Sequence, residues 1–166
     1  MDLSTRVLAY IGIGSNLLNP NRQVSSAFDA LAGVPQSRLM RRSRRYRTPP
    51  LGSPDQPDYV NAAALLDTGL GPFELLDVLQ AIEKSHGRLR GGERWGPRTL
   101  DLDLLLFGNL TLESQRLCLP HPHMHRRAFV LVPMADIAPP DLAVPGKGVL
   151  ADLLRTCDCS FVVPLT

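Results

Sequence analysis

Asp101 and Asp103 stand two residues apart in "RWGPRTLDLDLLLFG", residues 94–108, where a run of leucines suited to a protein core begins with two carboxylates. In an extended strand, residues i and i+2 face the same way. The two carboxylates therefore share one face, about 7 Å apart at the backbone, while Leu100, Leu102, Leu104 and Leu106 are expected on the other. Two like charges beside a buried run are costly unless they are protonated, paired with Arg94 or Arg98, or bound to cations. Their hard oxygen donors favour Mg²⁺. A lone Asp-x-Asp pair more often only solubilises an exposed strand end, so its setting matters. Arg88, Arg90, Arg94 and Arg98 fall within eleven residues, spaced by glycines in "GRLRGGERWGPR", a cationic loop expected to be flexible that leads directly into the acidic strand. Arginines and metal-binding carboxylates together are a common means of holding phosphates with their metals. No G-x-x-x-x-G-K-[ST] occurs, and "GIGSN" has Leu17 where a dinucleotide fingerprint needs its third glycine, so phosphate binding here must rely on arginine and metal.

The elements that must position these residues alternate regularly. Residues 7–13, "VLAYIGI", read as a buried strand, and the segment after it offers Asn19 as a helix cap, Pro20 in the first turn and apolar residues at helical spacing. Residues 38–47 and 58–67 are expected to be extended, separated by the proline-dense "TPPLGSPDQP". A second helix is predicted over "GPFELLDVLQAIEKSHG", with Leu75, Leu76, Leu79 and Ile82 on one face and Gly87 at its end. "TLDLDLLLF" is then a further strand. The resulting βαββαβ order is that of an α+β, ferredoxin-like antiparallel sheet with helices packed on one face. The tail, with short helices expected in "RAFVLVPMADI" and "GVLADLLRTC", is expected to cover the same core.

One domain over residues 1–166 is expected, since a chain of this length with 44% hydrophobic residues can bury a core without disulfides. Eighteen basic against sixteen acidic residues, a formal charge of +2, favour neither nucleic acid nor an acidic membrane as partner. No segment approaches the ~18 apolar residues of a membrane span and no leader is evident, which points to a cytoplasmic protein. Cys118, Cys157 and Cys159 lack a partner pair at zinc spacing and are read as structural or incidental thiols.

Four segments, "AYIGIGSNL", "YRTPPLGSPDQPDYVNAA", "RWGPRTLDLDLLLFG" and "LPHPHMHRRAFVLVPMADIAP", resemble in order the signature segments of 6-hydroxymethyl-7,8-dihydropterin pyrophosphokinases, from about Ala9 to about Pro139. The resemblance implies the ferredoxin-like fold and transfer of the terminal pyrophosphoryl group of ATP to a reduced pterin, with release of AMP, in tetrahydrofolate biosynthesis. It implies that Asp101 and Asp103 hold two Mg²⁺ ions against the ATP phosphates. Arg88, Arg98 and His121 would contact the triphosphate, with Arg90 and Arg127 joining on closure. Gln80, Glu83 and Leu104 would line the nucleotide pocket, with Trp95 as a gate. On the pterin side it implies Gly14, Thr48, Pro49, Leu51, Tyr59, Asn61 and a stacking Phe129. Asn61 is informative independently of the resemblance, because strands disfavour Asn and a buried amide must be satisfied. The partners implied are small molecules acting on a monomer, with neither nucleic acid nor membrane.

Two departures from the family pattern are Gly91, where better-known members carry lysine, and Pro122, where some carry tyrosine. The six arginines of residues 38–47 are not explained by the resemblance; they suit a solvated edge strand. They also support an alternative reading, a nucleic-acid-binding ferredoxin-like domain, which would require exposed aromatics on the central strands. A metal-dependent nuclease or other phosphotransferase is a further alternative that leaves Tyr59 and Asn61 unexplained.

Overall fold

The computed structural model describes residues 6–50, 55–87 and 99–165. Strand β1 (Val7–Ser15) leads into helix α1 (Pro20–Ala32), whose Asn19 cap accepts a hydrogen bond from the Arg22 amide and whose Val24, Ala27, Phe28 and Leu31 recur at helical spacing on the buried face. Strands β2 (Ser37–Arg42), β3 (Tyr46–Thr48) and β4 (Tyr59–Thr68) follow, then helix α2 (Pro72–Ser85) and strand β5 (Asp101–Phe107). The antiparallel ladders run β10–β3–β4–β1–β5, with β2 also on β4 and β10 (Val163–Pro164) at the far edge. This is the expected ferredoxin-like arrangement. The arginine-rich segment forms two strands, because at Ser43 the side-chain oxygen takes the Ala63 amide at 2.8 Å and interrupts the regular ladder.

The tail departs from expectation. Two small ribbons, β6 (Leu112–Glu113) with β7 (Cys118–Leu119) and β8 (Ala143–Val144) with β9 (Gly148–Val149), accompany helices α3 (Ala128–Ala135) and α4 (Leu150–Thr156). The two helices do not extend the first core. They build a second one on the opposite sheet face, where Leu131, Met134, Leu150 and Leu153 pack with Tyr10, Ala63 and Leu65. The first core joins Ile11, Ile13, Ala64 and Leu66 to α1 and α2. A central strand covered on both faces must be apolar throughout, and β4 is buried at eight of its ten positions. Its Ala62–Ala63–Ala64 run lets both helical layers approach. Helix α3 is likewise apolar all round because it lies between sheet and α4.

A bulge corrects one more expectation. The β1–β5 register passes from Tyr10↔Leu106 to Ile11↔Leu104, leaving Leu105 extra, and both Leu105 and Leu106 turn into the second core. Leu106 therefore does not share a face with Leu100, Leu102 and Leu104, which stay in the first.

Candidate active site

The face carrying the second core changes character toward one end. Along β1, Tyr10 gives way to Gly12 and Gly14; along β4, Leu65 and Ala63 give way to Asn61; along β5, Leu105 gives way to Asp103 and Asp101. The register aligns these changes, with Gly14 opposite both Asn61 and Asp101, and Gly12 opposite Asp103. A cleft of about 110 Å³ results, walled by Thr48, Pro49 and Tyr59 on the sheet side and by Arg127, Phe129 and Val130 at the start of α3. The glycines leave it open: a methyl group on Gly14 would stand 3.1 Å from Asn61 Oδ1.

Asn61 is 6% exposed and donates from Nδ2 to Thr48 Oγ1 at 2.6 Å. That bond holds the amide plane, whose carbonyl oxygen and second hydrogen are further hydrogen-bonding capacity at the cleft. Phe129 is half-buried, with the Arg127 guanidinium 5.6 Å from its ring centre. Asp101 and Asp103 are half-buried on one face, as strand periodicity requires. The loop before β4 is latched by Asn16, whose Nδ2 donates to the Pro57 carbonyl at 3.1 Å and to Gln56 Oε1 at 3.3 Å.

His121 is drawn alongside β5 by its amide, which donates to the Leu105 carbonyl at 2.9 Å. Burial above all, then Arg127 and His123, lowers its pKa to about 4, with Asp101 pulling the other way. The ring is neutral at pH 7, and because Nδ1 accepts the His123 amide at 3.2 Å, the proton resides on Nε2. A neutral imidazole donor thus stands near the carboxylates. The donor set fits Mg²⁺: two hard carboxylates on one face, opposite glycines that leave room for a ligand's own oxygens to complete an octahedral shell. Among the described residues no cluster of three or more His, Cys, Asp or Glu suits a metal, so such a site would need oxygens from substrate or water.

Residues 10–139 match the model of the 7,8-dihydro-6-hydroxymethylpterin-pyrophosphokinase family. The chain belongs to this family. It is 53% identical over 148 residues to the 2-amino-4-hydroxy-6-hydroxymethyldihydropteridine pyrophosphokinase of Pseudomonas aeruginosa, covering 89% of this chain and 90% of that one. With the Haemophilus influenzae protein of the same name it shares 46% over 149 residues, covering 90% and 92%. Among solved structures, the wild-type Plasmodium falciparum HPPK-DHPS with pteroate matches with a TM-score of 0.68 at 13% identity, over 90% of this chain. The chain spans 42% of that longer chain, and at this identity the likeness concerns the fold.

For this pyrophosphokinase the cleft gathers Gly14, Thr48, Pro49, Tyr59, Asn61, Asp101, Asp103, Arg127 and Phe129 from the residues singled out in the sequence. Gln80, Glu83 and Leu104 are not among its lining. Gln80 is exposed on α2 and accepts from Arg116, Leu104 is 3% exposed in the first core, and Glu83, 6% exposed, takes the Leu102 amide at 2.8 Å, between the two aspartates. Leu51, Arg88, Arg90, Arg94, Trp95 and Arg98, the expected cationic loop with them, lie outside the described residues, as does the Gly91 departure. Sequence reasoning missed Gly12, Ile13, Ala62 and Val130 as cleft lining; only the cross-strand register, which pairs Gly12 with Ala63 and Asp103, could have placed the first.

Proposed function

We propose that this cleft is where the chain carries out its family's reaction, with the pterin between Asn61 and Phe129 and the ATP phosphates at the Asp101–Asp103 end. The chain transfers the pyrophosphoryl group of ATP to the hydroxymethyl group of 6-hydroxymethyl-7,8-dihydropterin, giving AMP and the pterin diphosphate in folate biosynthesis. The single observation that carries the site assignment is that a held amide, suited to a polar ring edge, and a pair of carboxylates, suited to cations, converge on one cleft.

Asp101 and Asp103 are the residues that would hold two Mg²⁺ ions, which when bound supply charge neutralisation of the triphosphate and an easier ionisation of the attacking hydroxyl. The chain's own groups do the rest. Asn61 and Thr48 read the polar edge of the ring, Phe129 offers a stacking face, and Tyr59 and Pro49 restrict it laterally. Arg127 and the Nε2 hydrogen of His121 supply positive and donor character toward developing phosphate charge. Arg88, Arg90 and Arg98, with Trp95, Gln80, Glu83 and the Leu104 main chain, are assigned to the nucleotide side, and Leu51 to the pterin side, through the family resemblance. A monomeric working unit in the cytoplasm is part of this reading; no helix of the described residues is long and apolar enough to cross a membrane.

The nucleic-acid reading is the weaker of the two. Tyr10 on central strand β1 is buried beneath the second helical layer, so no open sheet platform remains there. Of the six arginines, four have partners within the chain: Arg42 lies over Phe28, Arg44 pairs with Asp136, Arg45 with Asn21 and Ser25, and Arg47 with Asp58. Product analysis tests the function: AMP and pterin diphosphate are expected in equal amounts, and ADP as the nucleotide product would refute it.

A further inference from the structure

Tyr46 joins the floor of the cleft to its wall. On β3 it sits opposite Asn61 and two residues before Thr48, hence on the same sheet face. Its ring, 2% exposed, packs with Ala128 and Val162, and Phe129 packs against the same cluster. Its hydroxyl donates to Asp136 Oδ2 at 2.8 Å. Asp136 caps the C-terminus of α3, the helix whose second residue is Phe129. The same carboxylate accepts the Arg44 amide at 3.0 Å and the Arg44 guanidinium, Nη2 to Oδ1, at 3.3 Å, while that guanidinium lies 5.5 Å from the Tyr46 ring centre. One carboxylate thus gathers donors from the junction of β2 and β3 and ties them to the far end of the helix that walls the cleft.

An eight-residue helix is a short rod of about 12 Å, so fixing its end fixes the height of its beginning over the sheet. A flat ring stacked on Phe129 and hydrogen-bonded to Asn61 is sensitive to that height, because both contacts weaken within a fraction of an ångström. Burial first, and then the bond to Asp136, pushes the Tyr46 pKa up to about 12, so the hydroxyl remains a donor through the neutral range.

We propose that Tyr46 and Asp136, supported by Arg44, form a positioning clamp that sets the gap between the Asn61 floor and the Phe129 wall, and thereby controls pterin affinity without touching the pterin. The inference rests on the assignment of the cleft to the pterin. The experiment measures, by calorimetry on the full chain, the Kd of a non-hydrolysable ATP analogue with Mg²⁺ and the Kd of 6-hydroxymethyl-7,8-dihydropterin in its presence, for Tyr46→Phe, Asp136→Asn, Asp136→Ala and Asn61→Ala. Tyr46→Phe and Asp136→Ala are expected to raise the pterin Kd roughly three- to tenfold, the range of one lost hydrogen bond, with the ATP analogue changed less than about twofold. Asp136→Asn, which keeps an acceptor oxygen for the Tyr46 hydroxyl, is expected to have the smaller effect. If Asp136→Ala does not fold, Tyr46→Phe decides the matter. An unchanged pterin Kd in Tyr46→Phe overturns the clamp while leaving the cleft assignment in place, provided Asn61→Ala weakens the pterin. Equal weakening of both ligands in Tyr46→Phe also overturns it, as general loosening. Asn61→Ala without effect on the pterin removes the cleft assignment and the clamp together.

Discussion

The two faces of the sheet are built from the same strands and do opposite things. Toward α1 and α2, Ile11, Ile13, Leu102 and Leu104 form a sealed apolar layer. Toward α3 and α4 the intervening residues begin as core, with Tyr10, Ala63 and Leu105, and end as glycines, Asn61 and two aspartates around a cleft. The second helical layer covers only part of its face. The polar groups of the cleft are thus held in place by strand neighbours that point the other way and are anchored in the first core.

This contrast is tested most strongly on β5. Asp101→Ala or Asp103→Ala is expected to reduce turnover by about 10³-fold or more with little loss of stability, since the cations these carboxylates would hold stabilise the transition state and not the fold. Leu102→Ala, between them but facing the other core, is expected to cost about 2–5 kcal/mol of stability. Steady-state product formation set beside denaturant melts distinguishes the two; a stability loss from the aspartate variants as large as that from Leu102→Ala would erase the division of labour.

His121 sharpens the comparison by pH. Its folded pKa lies near 4 against an ordinary value of 6.5, so between these values the unfolded chain binds more protons than the folded one. Stability is therefore full above about 6.5 and falls as the pH drops toward 4, by on the order of 2–3 kcal/mol for the metal-free protein. His121→Gln should flatten that segment of a plot of melting midpoint against pH. An unaltered slope in the variant would assign the acid sensitivity elsewhere.

The smallest effect is expected at the glycines. Gly14→Ala brings a methyl group to 3.1 Å from Asn61 Oδ1 and should raise the pterin KM about fivefold, equivalent to roughly 1 kcal/mol of crowding. Gly33→Ala, at the end of α1 with its nearest neighbour at the ordinary distance of 3.6 Å, should leave KM unchanged. Equal KM values in both variants would show that the cleft tolerates a side chain at Gly14.

Much of this was legible in the chain. The spacing of Asp101 and Asp103 placed both on one face, and Pro20, Pro72 and the apolar spacing of Val24 to Leu31 and Leu75 to Leu79 marked the helices. Asn61 announced itself as a polar group in an apolar strand. The hydrogen bond from the Leu102 amide to the Glu83 carboxylate was not legible, because a helix position shows which face is inward and not which main-chain donor it meets.

By itself, then, the sequence determined strand periodicity, helix ends and the types of group available for chemistry, because these follow from steric and capping preferences acting within a few residues. Tertiary structure alone decided the bulge at Leu105, which turned Leu106 to the other face; the separate core under α3 and α4; and the bond from Tyr46 to Asp136, ninety positions later. Those outcomes depend on which surfaces bury the most area against each other after distant segments meet, a sum over layers that no local window of residues contains.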